Sequence, residues 1–193
     1  YNSIAGGCEN IVSGNFTELD EAFKGSDNEI YSSLIETQQK VAETTKKEHE
    51  QQWNLKGRGR VNEILQKNND IDSLSYEIVK YIIQYSGAIQ GGIYLKDEND
   101  MLNMKARYAY GRKKYELNSF KIGHGLIGQC AYEKKSIYRT EIPEEFTSIT
   151  SGLITDKKPS SILIVPLMNG NDLLGVIEVA AIRDLTAIEI QFV

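Results

Sequence analysis

Few side chains in this sequence can do covalent or acid–base chemistry, and their spacing limits what that chemistry could be. There are two cysteines, Cys8 and Cys130, and two histidines, His49 and His124. A disulfide framework or a metal centre needs several such ligands brought together, and this set is too small for either. The free thiols fit a reducing compartment. Gly123-His124-Gly125-x-x-Gly128 has the spacing of a phosphate-cradling glycine loop, but the strand and long helix of a dinucleotide-binding βαβ unit do not frame it. Those glycines serve a tight turn and close packing instead, with His124 as an exposed turn residue. Glu178 is the most informative charge. It lies within Gly175-Val176-Ile177-Glu178-Val179-Ala180-Ala181 and by alternation shares a face with Leu174, Val176 and Ala180. A carboxylate among apolar neighbours is costly unless hydrogen-bonded or solvated. Glu178 therefore either looks into a wet pocket or reaches past the sheet edge to a basic partner.

The elements that must position these residues are legible from periodicity. Ile162 to Met168 and Leu173 to Ala181 form a hairpin around Asn169-Gly170-Asn171, residues that tolerate the positive φ of a tight connection. Both alternating sets of the first strand are apolar, Ile162 and Ile164 against Leu163, Val165 and Leu167, which places that strand at the centre of a sheet covered on both faces. Upstream, Asn69 or Asp70 caps a helix with an apolar stripe at Ile71, Leu74, Ile78, Ile82 and Tyr85, stopped by Ser86-Gly87. A second hairpin follows: Ala88 to Lys96, a turn at 97–100, and Met101 to Tyr110. In its second strand Leu102, Met104, Ala106, Tyr108 and Tyr110 alternate with polar residues. Between the hairpins lies an insert. Leu117 to Ile122 is extended, Leu126 to Glu133 is a short helix, Ile137-Tyr138 returns to the sheet, and Pro143 to Pro159 is a loop with a helical turn. The fold class is α+β: a mainly antiparallel sheet of five or six strands, long helices on one face and the insert on the other. Any ligand should lie under the insert.

Tyr1 to Lys67 has another texture. After a glycine-containing stretch, Ser26-Asp27-Asn28 can start a helix, and from Ile30 the chain is polar and helix-forming with no proline or glycine until Gly57. Heptad spacing selects Ile30, Leu34, Thr37, Val41, Thr44, Glu48, Gln51 and Leu55, apolar at the ends and polar in the middle, which describes a weak coiled coil or a solvated surface helix. Gly57 and Gly59 are the natural place for that helix to bend. The expected organisation is thus a linker over 1–28, a connecting helix over 29–67 and a globular domain over 68–193, ending as a new amphipathic segment begins at Thr186.

Composition is that of an ordinary water-soluble chain: 193 residues, 40% hydrophobic, 25% charged, net charge −5. It lacks the positive field of a nucleic-acid or anionic-membrane binder. No apolar run approaches the roughly 20 residues that span a bilayer, and no secretory leader is visible. The chain reads as a piece of a longer protein.

Gly123-x-Gly125-x-x-Gly128, Ile162-Leu163-Ile164-Val165-Pro166-Leu167 and Gly175-Val176-Ile177-Glu178-Val179 together resemble the GAF domain, a relative of the PAS fold. Glu141-Ile142-Pro143-Glu144-Glu145-Phe146 and Ser151-Gly152-Leu153 are similar to the form found in bacterial membrane sensors. The resemblance covers roughly Asn69 to Val193. It implies a GAF/PAS-like ligand-sensing scaffold rather than a fixed reaction. Gly14-Asn15-Phe16 with Asn28-Glu29-Ile30 resembles the second half of a HAMP linker, although Ser33 stands where HAMP sequences usually carry leucine. Trp53-x-x-x-Gly57 is similar to the segment that precedes GAF domains in such sensors.

The resemblance implies the cytoplasmic module of an inner-membrane sensor such as a histidine kinase, homodimeric through parallel helices. A free-methionine sulfoxide reductase branch of the family carries cysteine where this chain has Ile127, so the thiol-enzyme alternative is disfavoured. Cys130 reads as a small buried residue. Bilin attachment uses a Cys-His pair, and here Ala131 follows Cys130. The residue pattern of cyclic-nucleotide-binding members is likewise not evident. Ligand and cofactor stay unnamed. The candidate ligand contacts are Tyr108, Tyr110, Phe120, Tyr138, Ser151 and Glu178, which strand alternation and the path of the insert place around one space. The same tyrosines would equally serve as core filling, leaving a ligand-free dimerisation module.

Overall fold

The structure is a computed structural model that describes residues 29–67, 70–109, 118–142 and 158–193. The expectations for 1–28, Tyr110, the loop from Pro143 and Ser151 lie outside the described residues. Two compact units divide the chain, Tyr1–Trp53 and Asn54–Val193.

The first helix, α1 (Glu29–Lys67), is 39 residues long and runs through Gly57 and Gly59 without a break. Its glutamate, lysine and glutamine content favours a helix, but little apolar bias marks one side, and Val41 is half-exposed. Gly57 is a packing position. A Cβ there would lie 2.6 Å from Tyr85 Cε1 and closer still to the Phe192 ring, whereas a Cβ on Gly59 would meet nothing. Packing of two aromatic rings against bare backbone offsets the helical penalty of Gly57.

The second helix, α2 (Ile71–Ser86), starts at Asp70, whose carboxylate accepts a 2.9 Å hydrogen bond from the Ser73 amide, and ends at Gly87 with φ 66°. Hydrogen bonds from Ser73 hold the Asp70 carboxyl below its usual range. The expected stripe is rotated. Ser75, Val79, Ile82, Ile83 and Ser86 are buried, Ile71 is exposed, and Tyr81 and Tyr85 turn towards Phe192.

Six strands form one antiparallel sheet: β1 (Gln90–Lys96), β2 (Met101–Tyr108), β3 (Ser119–Lys121), β4 (Ile137–Arg139), β5 (Ser161–Asn169) and β6 (Asp172–Ala181), in the order β3-β2-β1-β6-β5-β4. A short helix, α3 (Gly125–Glu133), precedes β4, and α4 (Ala187–Phe192) follows β6. β1 and β6 hold the centre, not β5. β5 is apolar on both sides because Ile162 and Ile164 are buried beneath α3 and Leu163 is buried on the opposite face, while its outer neighbour β4 is only three residues long.

The two faces of the sheet are set by register. Paired residues project to the same side, so Gly91, Ile93, Ala106, Leu163, Ile177 and Val179 share the face covered by α2. Tyr94, Leu102, Ile162, Ile164, Val176 and Ala180 share the other, packed beneath Ile127, Cys130 and Ala131 of α3. Two bulges override simple alternation. Ile93 pairs with Ala106 and Tyr94 with Met104, leaving Lys105 as the extra residue. Leu102 and Met104 therefore face α3, whereas Ala106 and Tyr108 face α2. In β6, Leu174 is the extra residue. It is 50% exposed, and Leu173 takes the inward place that alternation assigned to it.

Candidate functional site

On the α3 side, the turn into the helix is built from the three glycines. Gly123 and Gly125 have φ of 85° and 66°, values that an L side chain adopts only with strain. The Gly123 amide donates to the Gly128 carbonyl at 2.8 Å, and the Gly128 amide to that of His124 at 3.2 Å. A Cβ at Gly128 would collide with the Lys121 carbonyl, so the helix folds back onto its own entry turn. The amides of Gly123, His124 and Gly128 thus close the loop on itself, and His124 is exposed. The turn and close-packing reading of these glycines matches this geometry.

Cys130 points into the core and is fully buried. Burial pushes its thiol up to about 11, with the nearby Glu133 carboxylate adding to the effect. Such a thiol is protonated at neutral pH and inert as a nucleophile.

Phe120 and Glu178 lie on the α3 face, and Tyr94 sits between them. The Tyr94 hydroxyl donates to Glu178 Oε2 at 3.4 Å, and its ring meets Phe120 edge to face at 5.4 Å. Tyr94 was absent from the sequence candidates because only the register Tyr94↔Val176 brings it beside Glu178. Tyr108 and Tyr138 are on the opposite face. Tyr108 accepts from Gln84 Nε2 of α2 at 3.1 Å and its ring lies 6.4 Å from that of Tyr76. Tyr138 pairs with Leu163, and its hydroxyl accepts from the Leu185 amide at 2.9 Å. Tyr110 and Ser151 lie outside the described residues. The six candidates thus do not form one cluster: the bulge at Lys105 turns Tyr108 away, and one-residue parity in β4 turns Tyr138 away.

A cavity of about 430 Å³ opens where α3 meets the β4 edge, lined by Leu126, Tyr138, Arg139, Thr140, Glu141, Ile142 and Ile162. Leu126, Ile142 and Ile162 make it apolar, and Arg139 and Glu141 bring opposite charges to its rim. Among the described residues neither of those two has a hydrogen bond or ion pair. This is the common composition of a small-molecule pocket, apolar walls with a few polar groups. Among the described residues no group of three or more His, Cys, Asp or Glu could hold a metal ion, and no helix is long and apolar enough to cross a membrane.

A six-stranded antiparallel sheet with α2 on one face and a glycine-turn helix over the other defines an α+β module of the GAF type. The family model for the GAF domain matches residues 68–193, and the chain belongs to that family. Solved structures carry the same fold. The chain is similar to the GAF domain of a phosphoenolpyruvate-protein phosphotransferase from Coxiella burnetii, with TM-score 0.59 and 15% identity over 72% of this chain and 84% of that one. It is similar to the corresponding Acinetobacter domain, with TM-score 0.57 and 17% identity over 72% and 84%. It is also similar to the free methionine-R-sulfoxide reductase of Neisseria meningitidis, with TM-score 0.54 and 14% identity over 69% and 77%. No curated protein sequence matches the chain. At these identities the likeness concerns fold.

Proposed function

We propose that this chain is the sensory GAF module of a signal-transduction protein, binding a small molecule under the α3 face and relaying its presence through helices. The observation that carries this reading is the cavity between α3 and β4, with Arg139 and Glu141, neither paired among the described residues, at the rim of an apolar floor. Residues 1–28 are the end of a HAMP-like linker, α1 is the connecting helix, and the parent is a membrane-anchored sensor with a histidine-kinase-like output. The module pairs with a second copy along α1. Phe120 and Glu178, joined by Tyr94, form the inner wall of the binding face. The likeness to a methionine sulfoxide reductase raises the alternative of thiol catalysis, and the buried, protonated state of Cys130 supports binding over catalysis.

Native mass spectrometry of the protein against a metabolite panel tests the reading. A retained mass that is lost on Ile162→Trp, which fills the cavity floor, is the expected result. No retained mass from any metabolite, or turnover of free methionine sulfoxide, would overturn it. Light scattering tests the pairing. Twice 21.7 kDa is expected, and a monomer at high micromolar concentration removes it.

A further inference from the structure

Strand β4 is three residues long, and its two sides meet different parts of the domain. Arg139 pairs with Ile162 and lies on the cavity side, where it lines the pocket. Tyr138 pairs with Leu163; it also borders the cavity at this sheet edge, and its hydroxyl accepts from the Leu185 amide at 2.9 Å and donates to the Leu185 carbonyl at 3.5 Å. Leu185 immediately precedes Thr186, the N-cap of α4, whose capping box with Glu189 fixes where that helix starts. Further side-chain anchors hold this connector: Ser160 donates to the Ile182 carbonyl at 2.8 Å, Ser161 of β5 to that of Arg183 at 2.6 Å, and the Arg183 guanidinium to the Ser86 carbonyl of α2 at 3.0 Å. Tyr138 is the anchor that comes from the same short strand as Arg139.

We infer that the cavity takes a small, singly charged anion with an apolar body, held by Arg139, and that Tyr138 couples its occupancy to α4. This rests on the sensory reading above. The charge follows from the guanidinium, which has no partner among the described residues and offers a planar fork suited to a carboxylate. The single charge follows from Glu141 on the same rim, which repels a polyanion such as a nucleoside triphosphate. The apolar body follows from Leu126, Ile142 and Ile162. The coupling follows from geometry. A strand of three residues cannot have Arg139 held by an anion without Tyr138 being held as well, and a fixed Tyr138 hydroxyl keeps both polar groups of Leu185 bonded at the start of α4. Tyr138 also lines the cavity, and its hydroxyl makes it the positioning residue that links that cavity to Leu185.

The test tethers charge at the cavity without knowing the ligand. In the full chain carrying Cys8→Ser and Thr140→Cys, the introduced thiol is modified either with a sulfonatoethyl methanethiosulfonate or with the neutral methyl reagent. Cys130 is buried and stays unmodified. Amide hydrogen exchange is then read over residues 184–193. The sulfonate is expected to slow that exchange by about threefold relative to the methyl tether, the scale that one partly exposed ion pair supplies. Arg139→Gln should remove the difference because the anion loses its partner. Tyr138→Phe should also remove it while leaving exchange across β1 and β6 unchanged, which separates lost coupling from lost folding. Equal exchange with the two tethers, or a sulfonate effect that survives Tyr138→Phe, would overturn the inference. A metabolite that binds without any tether effect refutes this coupling alone. A tether effect with no metabolite bound refutes the sensory reading and leaves the coupling standing.

Discussion

The two glycines of α1 allow a sharp test of how the helical face is assembled, because the same substitution should have opposite signs two residues apart. Gly59→Ala places a methyl group in open space on a helix. The gain is that of replacing glycine by alanine in a helix interior, about 0.8–1 kcal/mol. Gly57→Ala has the same intrinsic gain, but its methyl carbon would stand 2.6 Å from Tyr85 Cε1, 2.9 Å from Phe192 Cδ2 and nearer still to Phe192 Cε2. Tyr85 and Phe192 are themselves in contact, with centroids 5.0 Å apart, and Tyr81 stacks on Tyr85 at 5.3 Å, so neither ring can retreat without disturbing the other. Overpacking of this kind costs about 1–3 kcal/mol, which outweighs the propensity gain at the upper end and cancels it at the lower. The two variants should therefore differ by about 1–3 kcal/mol. For a chain of this length that corresponds to roughly 2–12 °C in Tm, with Gly59→Ala above the parent and Gly57→Ala at or below it. Thermal unfolding followed by circular dichroism reads this directly. Equal stabilisation by both substitutions would show that the aromatic rings do not press on α1 at Gly57, and the close packing of α1, α2 and α4 argued here would fail.

The thiol of Cys130 should resist Ellman's reagent in the folded protein and react on unfolding, and Cys130→Ala should cost on the order of 1 kcal/mol by leaving a small void. Because its folded pKa, about 11, is raised above the ordinary 9.0, its contribution is complete below pH 9.0 and is lost as pH rises towards 11. Denaturant titrations should show a parent-specific loss of stability over that alkaline window that Cys130→Ala lacks. The Glu189 carboxyl is held below its usual range by its hydrogen bonds with Arg183, at 2.7 and 2.8 Å, and by the Thr186 amide. Its contribution is present above the ordinary carboxylate range and is lost as pH falls through its lowered value. Glu189→Gln should then cost about 1 kcal/mol at neutral pH, discounted for the half-exposed Arg183, and flatten the acid limb of the stability curve. Tyr94→Phe should cost about 1 kcal/mol, since the Phe120 contact survives while the long hydrogen bond to Glu178 is removed.

Much of the fold could be read from patterning because most of the chain obeys one period per element. The all-apolar β5, the hairpin at Gly170, the glycine turn before α3 and the cap at Asp70 are local signals, and the structure has each of them where the residues put it. The candidate site was less legible, and the reason is countable in single residues. Lys105 inserts one extra residue into β2 and reverses the side on which Tyr108 stands. Its ammonium reaches Asp72 of α2 at 2.5 Å, a partner that alternation alone does not reveal. Leu174 does the same to the start of β6. A bulge leaves no compositional trace beyond the residue itself. Tyr94 likewise looked like one more strand aromatic, since its relation to Glu178 depends on pairing between residues 84 positions apart. Gly57 misled for a different reason: in sequence a helical glycine signals weakness, whereas here tertiary contact makes the missing side chain the useful feature.

The division between the two faces explains why neither bulge is a defect. On the α2 face, Tyr108 and Tyr138 use their hydroxyls on Gln84 and on Leu185, groups belonging to the helix α2 and to the connector that leads into α4. On the α3 face the aromatic groups are Tyr94 and Phe120, set beside the one carboxylate of β6 that looks away from the hairpin turn. Had β2 kept strict alternation, Tyr108 would stand beside Met104 on the α3 side, and Gln84 would lose its partner. The extra residue at Lys105 thus moves an aromatic group from the α3 side to the α2 side. Tyr138 reaches the same side by parity alone. Between the cavity at the α3 side and the connector that leads into α4, the shortest route crosses β4, from Arg139 to Tyr138 to Leu185, and it is along this route that the proposed coupling runs.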